Sequence, residues 1–123
     1  MRLASRAGGC LAVLACLVAL PAPAAASKLR RVTIGWSVDH RPITAVVLGP
    51  DRAPRKLLLV GCIHGNECAG LRILSALQRI RPPAGVQLWL VAELNPDGTA
   101  AGTRQNARGV DLNRNFPYQW QPI

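Results

Sequence analysis

The run Leu57-Leu58-Leu59-Val60-Gly61 constrains this chain more than any other segment. It shows no polar alternation, which suggests a strand covered on both faces, as in an α/β sheet. Downstream, Leu71, Leu74, Leu77 and Ile80 recur at helical spacing. A helix is therefore expected from about Asn66 or Glu67 to Ile80. It should stop before Pro82-Pro83, because a proline pushes the residue before it out of the α region. Val86 to Leu94 reads as a further apolar strand, with Gln87-Leu88-Trp89-Leu90-Val91-Ala92 inside it.

Upstream, Val32, Ile34, Trp36 and Val38 alternate with Thr33, Gly35 and Ser37, the period of a half-buried strand. Asp39-His40-Arg41 makes a turn, and Ile43 to Leu48 returns as the second arm of an antiparallel hairpin. Gly49-Pro50-Asp51 breaks it. Asn95-Pro96-Asp97-Gly98 ends the last apolar strand as a turn. Residues 98–110 carry no apolar period and read as a loop, and Val110 to Asn113 begins another short strand. The fold class expected is α/β.

At 123 residues the chain holds one domain at most. Its first 26 residues have the make-up of a secretory signal. Arg2 and Arg6 precede the apolar run Leu11 to Leu20, and Pro21-Ala22-Pro23-Ala24-Ala25-Ala26 offers an A-x-A cleavage site before Ser27. The run is too short to span a bilayer, so no stable membrane insertion is expected after cleavage. Residues 27–123 are then the exported portion, and the expected location is secreted or periplasmic. Losing Arg2 and Arg6 leaves thirteen basic residues against six acidic ones, a charge of about +7. The basic residues are scattered and lack interleaved aromatics for base stacking. With export, this argues against nucleic acid as a partner.

Cys62 and Cys68 are the two cysteines beyond the signal. In an exported protein they can form a disulfide or pack as small hydrophobes, and Cys68 is an awkward competitor as a zinc ligand. The structural readings are favoured.

His64 and Glu67, three residues apart between the apolar run and the helical pattern, can reach one metal ion together. Zinc is held by imidazole and carboxylate, and a catalytic site keeps one position open for water. Alone, a His-x-x-Glu is weak evidence, since His64 could line a core and Glu67 could simply favour a helix N-terminus. The surroundings change its weight. Gly61-Cys62-Ile63-His64-Gly65-Asn66-Glu67, Asn95-Pro96-Asp97-Gly98, Thr103-Arg104 and Gly109-Val110-Asp111-Leu112-Asn113-Arg114-Asn115 occur in that order. From about Arg55 to Pro117 this resembles the N-terminal part of the zinc carboxypeptidase family M14, and its short loops are similar to those of bacterial members that include murein-peptide amidases.

The resemblance implies the N-terminal part of a mixed-sheet zinc carboxypeptidase-like (phosphorylase/hydrolase-like) fold, with zinc as cofactor. His64 and Glu67 match the first two zinc ligands. Asp111 matches the carboxylate that hydrogen-bonds the ligand histidine and raises its basicity. Arg104 matches the arginine that polarises the scissile carbonyl, and Asn113 and Arg114 match the pair that grips a substrate's terminal carboxylate. Asn66 departs from the digestive members, which carry arginine there. The implied reaction is metal-assisted hydrolysis of a C-terminal peptide or murein-peptide amide bond, on a substrate with a free carboxylate.

The family also needs a second histidine ligand and a catalytic glutamate farther along. No histidine follows His64, and Glu93, the other glutamate, does not match that base. The expectation is therefore a truncated member that binds zinc weakly and hydrolyses nothing. The alternative is a non-catalytic carboxylate- or peptide-binding module built on Asn113 and Arg114. A third reading is a basic exported α/β domain whose motifs are accidental.

Overall fold

The structure is a computed structural model and describes residues 29–117. The signal sequence expected over residues 1–26 lies outside the described residues. Four strands and two short helices follow in the order β1 (Arg30–Trp36), β2 (Pro42–Leu48), β3 (Arg55–Cys62), α1 (Leu71–Leu77), β4 (Val86–Glu93) and α2 (Pro96–Ala101). They build one mixed sheet in the order β1-β2-β4-β3. β1 pairs antiparallel with β2, β2 antiparallel with β4, and β3 parallel with β4. Parallel neighbours need a long crossover, and α1 supplies it.

The core follows from the pleat. Leu88 and Leu90 on β4 stand opposite Leu48 and Val46 on β2, and Leu59 on β3 is the partner of Leu90. Side chains on one face alternate with those on the other, so this row shares one face of the sheet. Leu74 of α1 packs onto it, with Val86 completing the buried set and Leu59 and Leu77 at its margin. Burial of each such leucine or valine contributes roughly 1.5–3 kcal/mol.

Five local expectations need correction. Leu57 and Leu58 are 51% and 67% exposed, and among the described residues β3 is an edge strand with no element covering both of its faces. β1 is likewise an edge strand, with Ile34 and Trp36 exposed. A bulge between Thr33 and Gly35 shifts the alternation that suggested a half-buried strand. The helix starts at Leu71, four or more residues later than its apolar spacing suggested. Residues 64–70 are occupied by turns, closed by Glu67 N–H to His64 O and Leu71 N–H to Cys68 O. Gly70 at the helix start lies against the Gly61 carbonyl oxygen, which a Cβ there would strike.

The fourth correction concerns residues 95–101. Asn95-Pro96-Asp97-Gly98 is the start of α2, and the stretch read as pure loop begins as helix. Asn95 caps it by accepting from Gly98 N–H, Pro96 takes a first-turn position where no N–H is needed, and Gly102 closes it in the left-handed region. Val110 to Asn113 form a turn, not a strand. Among the described residues no helix is long and apolar enough to cross a membrane.

Candidate metal centre

Both donor residues sit just beyond β3. Cys62 ends the strand, and His64 follows as a buried side chain, 6% exposed. Glu67 comes one turn later and is more open, with 56% of its side chain exposed. The turn is held down from the side by Gly65. Its Cα lies against the backbone of Gly98 and Thr99 in α2, so close that any Cβ at residue 65 would collide with Gly98.

The His64 ring is gripped at both nitrogens. Nδ1 lies 3.1 Å from Glu67 Oε2, and Nε2 lies 3.0 Å from both Asp111 Oδ1 and Asn113 Oδ1. The two ring nitrogens face opposite ways, so Asp111 and Glu67 stand on opposite sides of the imidazole. Arg104 closes the circle from outside. Its Nε donates to Asp111 Oδ2 and its Nη1 to Glu67 Oε1, each at 2.8 Å. Arg114 Nη1 donates to Asn113 Oδ1 at 2.6 Å. That oxygen thus receives Arg114 and faces the imidazole, which fixes the orientation of the amide. All six site residues expected from the sequence fall in one connected network.

The electrostatics follow from these contacts. Glu67 first, then Asp111 and Asn113, raise the His64 pKa above its usual value, while burial and Arg104 oppose them. His64 in turn lowers Glu67, with Arg104 adding to the effect against burial. Arg104 is the largest influence on Asp111, whose carboxyl is lowered from 3.8 to about 2. The pairing with Asp111 and Glu67 also raises the Arg104 guanidinium.

The donor set fits a borderline divalent cation such as zinc, in part. Asp111 and Asn113 engage Nε2 and leave Nδ1, which faces the Glu67 carboxylate, as the nitrogen able to turn a lone pair to a cation. Only these two donors converge. No group of three or more His, Cys, Asp or Glu side chains able to hold a metal ion occurs among the described residues. Asp111 does not count toward such a group because it lies behind the ring.

Several supporting residues were not singled out in the sequence as parts of the site. Asn95, 2% exposed, donates from Nδ2 to the Gln105 carbonyl at 3.1 Å and to that of Arg104 at 3.4 Å, which anchors the loop carrying the guanidinium. Asp97, 4% exposed, accepts from Ser37 Oγ at 2.7 Å, from Arg41 Nη1 at 2.6 Å and from Asp39 N–H at 3.2 Å. It ties the β1–β2 turn to α2. Burial pushes the Asp97 carboxyl up, but Ser37, Arg41 and the Asp39 amide outweigh it and hold the group below its ordinary value. Asn followed by Pro was the available signal for both, since it marks a capped helix start. Cys62 and Cys68 are joined as a disulfide around the His64–Glu67 turn, one of the two structural readings left open by the sequence.

Known proteins place this arrangement. Residues 53–122 match the family model of the succinylglutamate desuccinylase/aspartoacylase catalytic domain. A murein peptide amidase A from Vibrio campbellii is 36% identical over 95 residues, covering 77% of this chain and 38% of the relative. The crystal structure of murein-tripeptide amidase MpaA from Escherichia coli O157 superposes with a TM-score of 0.56 at 32% identity, covering 79% of this chain and 41% of that one. A carboxypeptidase A from Helicoverpa armigera, at 22% identity and a TM-score of 0.62, shares the fold. The chain thus spans about two fifths or less of the length of these relatives. With the family match extending over more than half of its residues, the chain belongs to the family of the succinylglutamate desuccinylase/aspartoacylase catalytic domain, and its carboxypeptidase and murein peptide amidase relatives make it an M14-like fragment.

Proposed function

We propose that this chain carries the first half of a zinc-dependent amide hydrolase site, acting in an exported protein on a C-terminal peptide or murein-peptide bond. The observation that carries the reading is the His64 imidazole between Glu67 at Nδ1 and Asp111 at Nε2. His64 Nδ1 and the Glu67 carboxylate would hold zinc, which when bound polarises an amide carbonyl and acidifies a water. Asp111 holds the ring with its donor nitrogen outward. Loading is expected to release a proton from the His64–Glu67 pair, since zinc binds the neutral imidazole and the carboxylate.

The remaining roles fall to the cationic side chains. Arg104, fixed by Asp111, donates a second N–H to the Glu67 carboxylate. There it would stabilise negative charge developing on a carbonyl oxygen, an effect of roughly 3–4 kcal/mol in sites of this kind. Asn113 and Arg114, adjacent and hydrogen-bonded, would receive the substrate's carboxylate. No histidine follows His64 in these 123 residues, and Glu93 lies at the end of β4. By itself the segment is therefore proposed to hold zinc weakly and not to turn over substrate.

A second reading is removal of an acyl group from an acylated amino acid. It is favoured by the family description, which names a desuccinylase and an aspartoacylase. The two readings share an amide bond beside a carboxylate and differ in the leaving amine. The test uses the protein at the length of its relatives. Hydrolysis of a murein tripeptide and of succinylglutamate is assayed before and after chelation, after zinc is restored, and in Glu67→Gln. The zinc reading expects loss on chelation, recovery with zinc and loss in the variant. Turnover that ignores both the chelator and the substitution would refute it. A pure carboxylate-binding module would bind peptide and never turn it over.

A further inference from the structure

The disulfide between Cys62 and Cys68 closes a loop of sequence separation 6, and His64 and Glu67 are the only ionisable residues inside it. One end is rooted in the sheet, where Cys62 terminates β3 at 1% exposure. The sulfur atoms rest against the main chain of the donor turn. Cys62 Sγ lies 3.0 Å and Cys68 Sγ 3.7 Å from the His64 carbonyl oxygen, and Cys68 Sγ lies 3.6 Å from that of Gly65. Gly65 presses on Gly98 as well, so the turn is held by α2 and by the sulfur bridge. Glu67 gets no support from α1, which starts at Leu71. Its backbone N–H to His64 O is a bond within the same turn.

We propose that Cys62 and Cys68 are positioning residues for the metal half-site. Their bond holds the turn in which His64 Nδ1 and the Glu67 carboxylate converge, in place of the helix N-terminus that the spacing of apolar residues had suggested. The proposal rests on the zinc reading of His64 and Glu67. A short covalent loop removes alternative backbone arrangements before the cation arrives, so its cost is not taken from binding. Without the bond, Glu67 samples positions away from Nδ1, and the two donors are gathered only on loading. Groups that orient a metal ligand typically carry about 10- to 100-fold in affinity, and the same range is expected here.

The test titrates Co²⁺ into the oxidised 123-residue chain and into Cys62→Ala/Cys68→Ala, at a temperature where circular dichroism shows both folded. The paramagnetic shift of the His64 ring protons is followed alongside the thermal midpoint. The expected result is affinity about tenfold or more weaker in the double variant, with His64 still shifted at saturation. Equal affinity with a lowered midpoint would overturn the proposal and leave the bridge a purely structural staple. If the variant does not fold, the native chain is reduced with a water-soluble phosphine, which becomes the phosphine oxide as water supplies its oxygen and two thiols form. It is then titrated with Mn²⁺, a hard ion that thiolates compete for poorly. Broadening of the His64 signals should need about tenfold more metal and recover on reoxidation; broadening unchanged by reduction overturns the proposal. His64→Ala and Glu67→Gln in the oxidised chain separate the two claims. If neither alters Co²⁺ binding, the zinc reading itself fails. If both abolish it while the cysteine substitutions do nothing, only the positioning role fails.

Discussion

His64 Nε2 meets Asp111 Oδ1 at 3.0 Å across 47 residues of sequence. That contact sets the use of the ring, since whichever nitrogen faces Asp111 is the one that cannot face a cation. Asp111→Asn removes the negative charge behind the ring and one of the two oxygens that serve His64 Nε2 and Arg104 Nε. Zinc affinity should fall about 10- to 100-fold, as is usual when the partner of a ligand histidine is neutralised. Isothermal titration calorimetry of the variant against the parent checks this, and unchanged affinity would show that Asp111 does not orient the ligand.

The metal-free protein should have a definite pH profile. His64 is raised, first by Glu67. A raised group contributes stability that is complete below its unfolded value, about 6.5, and is lost as pH rises through the folded one. Glu67 is lowered below its ordinary 4.5, first by His64, and Asp111 is lowered from 3.8 to about 2, first by Arg104. Their contributions are present above those unfolded values and vanish as pH falls through the folded ones. Urea midpoints recorded in chelator should therefore peak between about pH 4.5 and 6.5 and decline on both sides. In Glu67→Gln the alkaline decline should weaken and the His64 titration seen by NMR should move down. A profile still climbing from pH 6.5 to 8 would contradict the pairing.

Asp97 gathers three donors, and all of them come from the β1–β2 turn. Asp97→Ala leaves Ser37, the Asp39 amide and Arg41 without that acceptor and cuts α2 free from the hairpin. The thermal midpoint should drop by on the order of 5–10 °C. Proteolysis should also become faster within residues 95–110, a result readable by mass spectrometry. A midpoint within a degree or two of the parent would mean that the turn and helix hold their places without this carboxylate.

Gly65 has no room for a side chain beside Gly98. Gly65→Ala forces the His64 turn and α2 apart, at a cost of about 1–3 kcal/mol, and zinc binding should weaken with it. Thr99→Ala, on the same helix, removes a methyl and a hydroxyl that bonds Asn95 O and lies 3.8 Å from Cys62 Sγ, without adding bulk at the Gly65 approach, and is the comparison. Chemical denaturation of both variants decides whether the tight approach matters for stability.

Leu74 is the one buried residue of α1 and the plug over the β2–β4 row. Leu74→Ala should cost about 2–5 kcal/mol. Ile73→Ala, one position away and 63% exposed, should stay within about 0.5 kcal/mol of the parent. Similar losses at both positions would show that the outer face of α1 is covered in solution.

The order of strands and the helix between β3 and β4 were legible because hydrophobic period is a local signal. The residues that meet at the site were legible because a resemblance of motifs carried them, not because any spacing showed that Asp111 reaches His64. What remained hidden was set by neighbours distant in sequence. Leu57 and Leu58 are exposed and, among the described residues, β3 is an edge strand with no element covering both of its faces, which an apolar run cannot announce. The start of α1 was displaced because residues 64–70 are committed to the donor turn and the Cys62–Cys68 bridge, and both outweigh helical spacing. α2 was missed because six residues with one glycine make no apolar period, although Asn95 and Pro96 marked its start.

By itself, the order of residues determined which segments are strands, that β1 and β2 form a hairpin, and which side chains a resemblance of motifs nominates for the site, since these are written in residue type and short-range pattern. Only the tertiary structure decided that His64 turns Nδ1 to Glu67 and Nε2 to Asp111, and that Arg104 spans the two carboxylates. The reason is physical: the direction of an imidazole and the reach of a guanidinium are fixed by partners 37 and 47 residues away. Such contacts exist only once the sheet, α2 and the 103–115 loop have packed together.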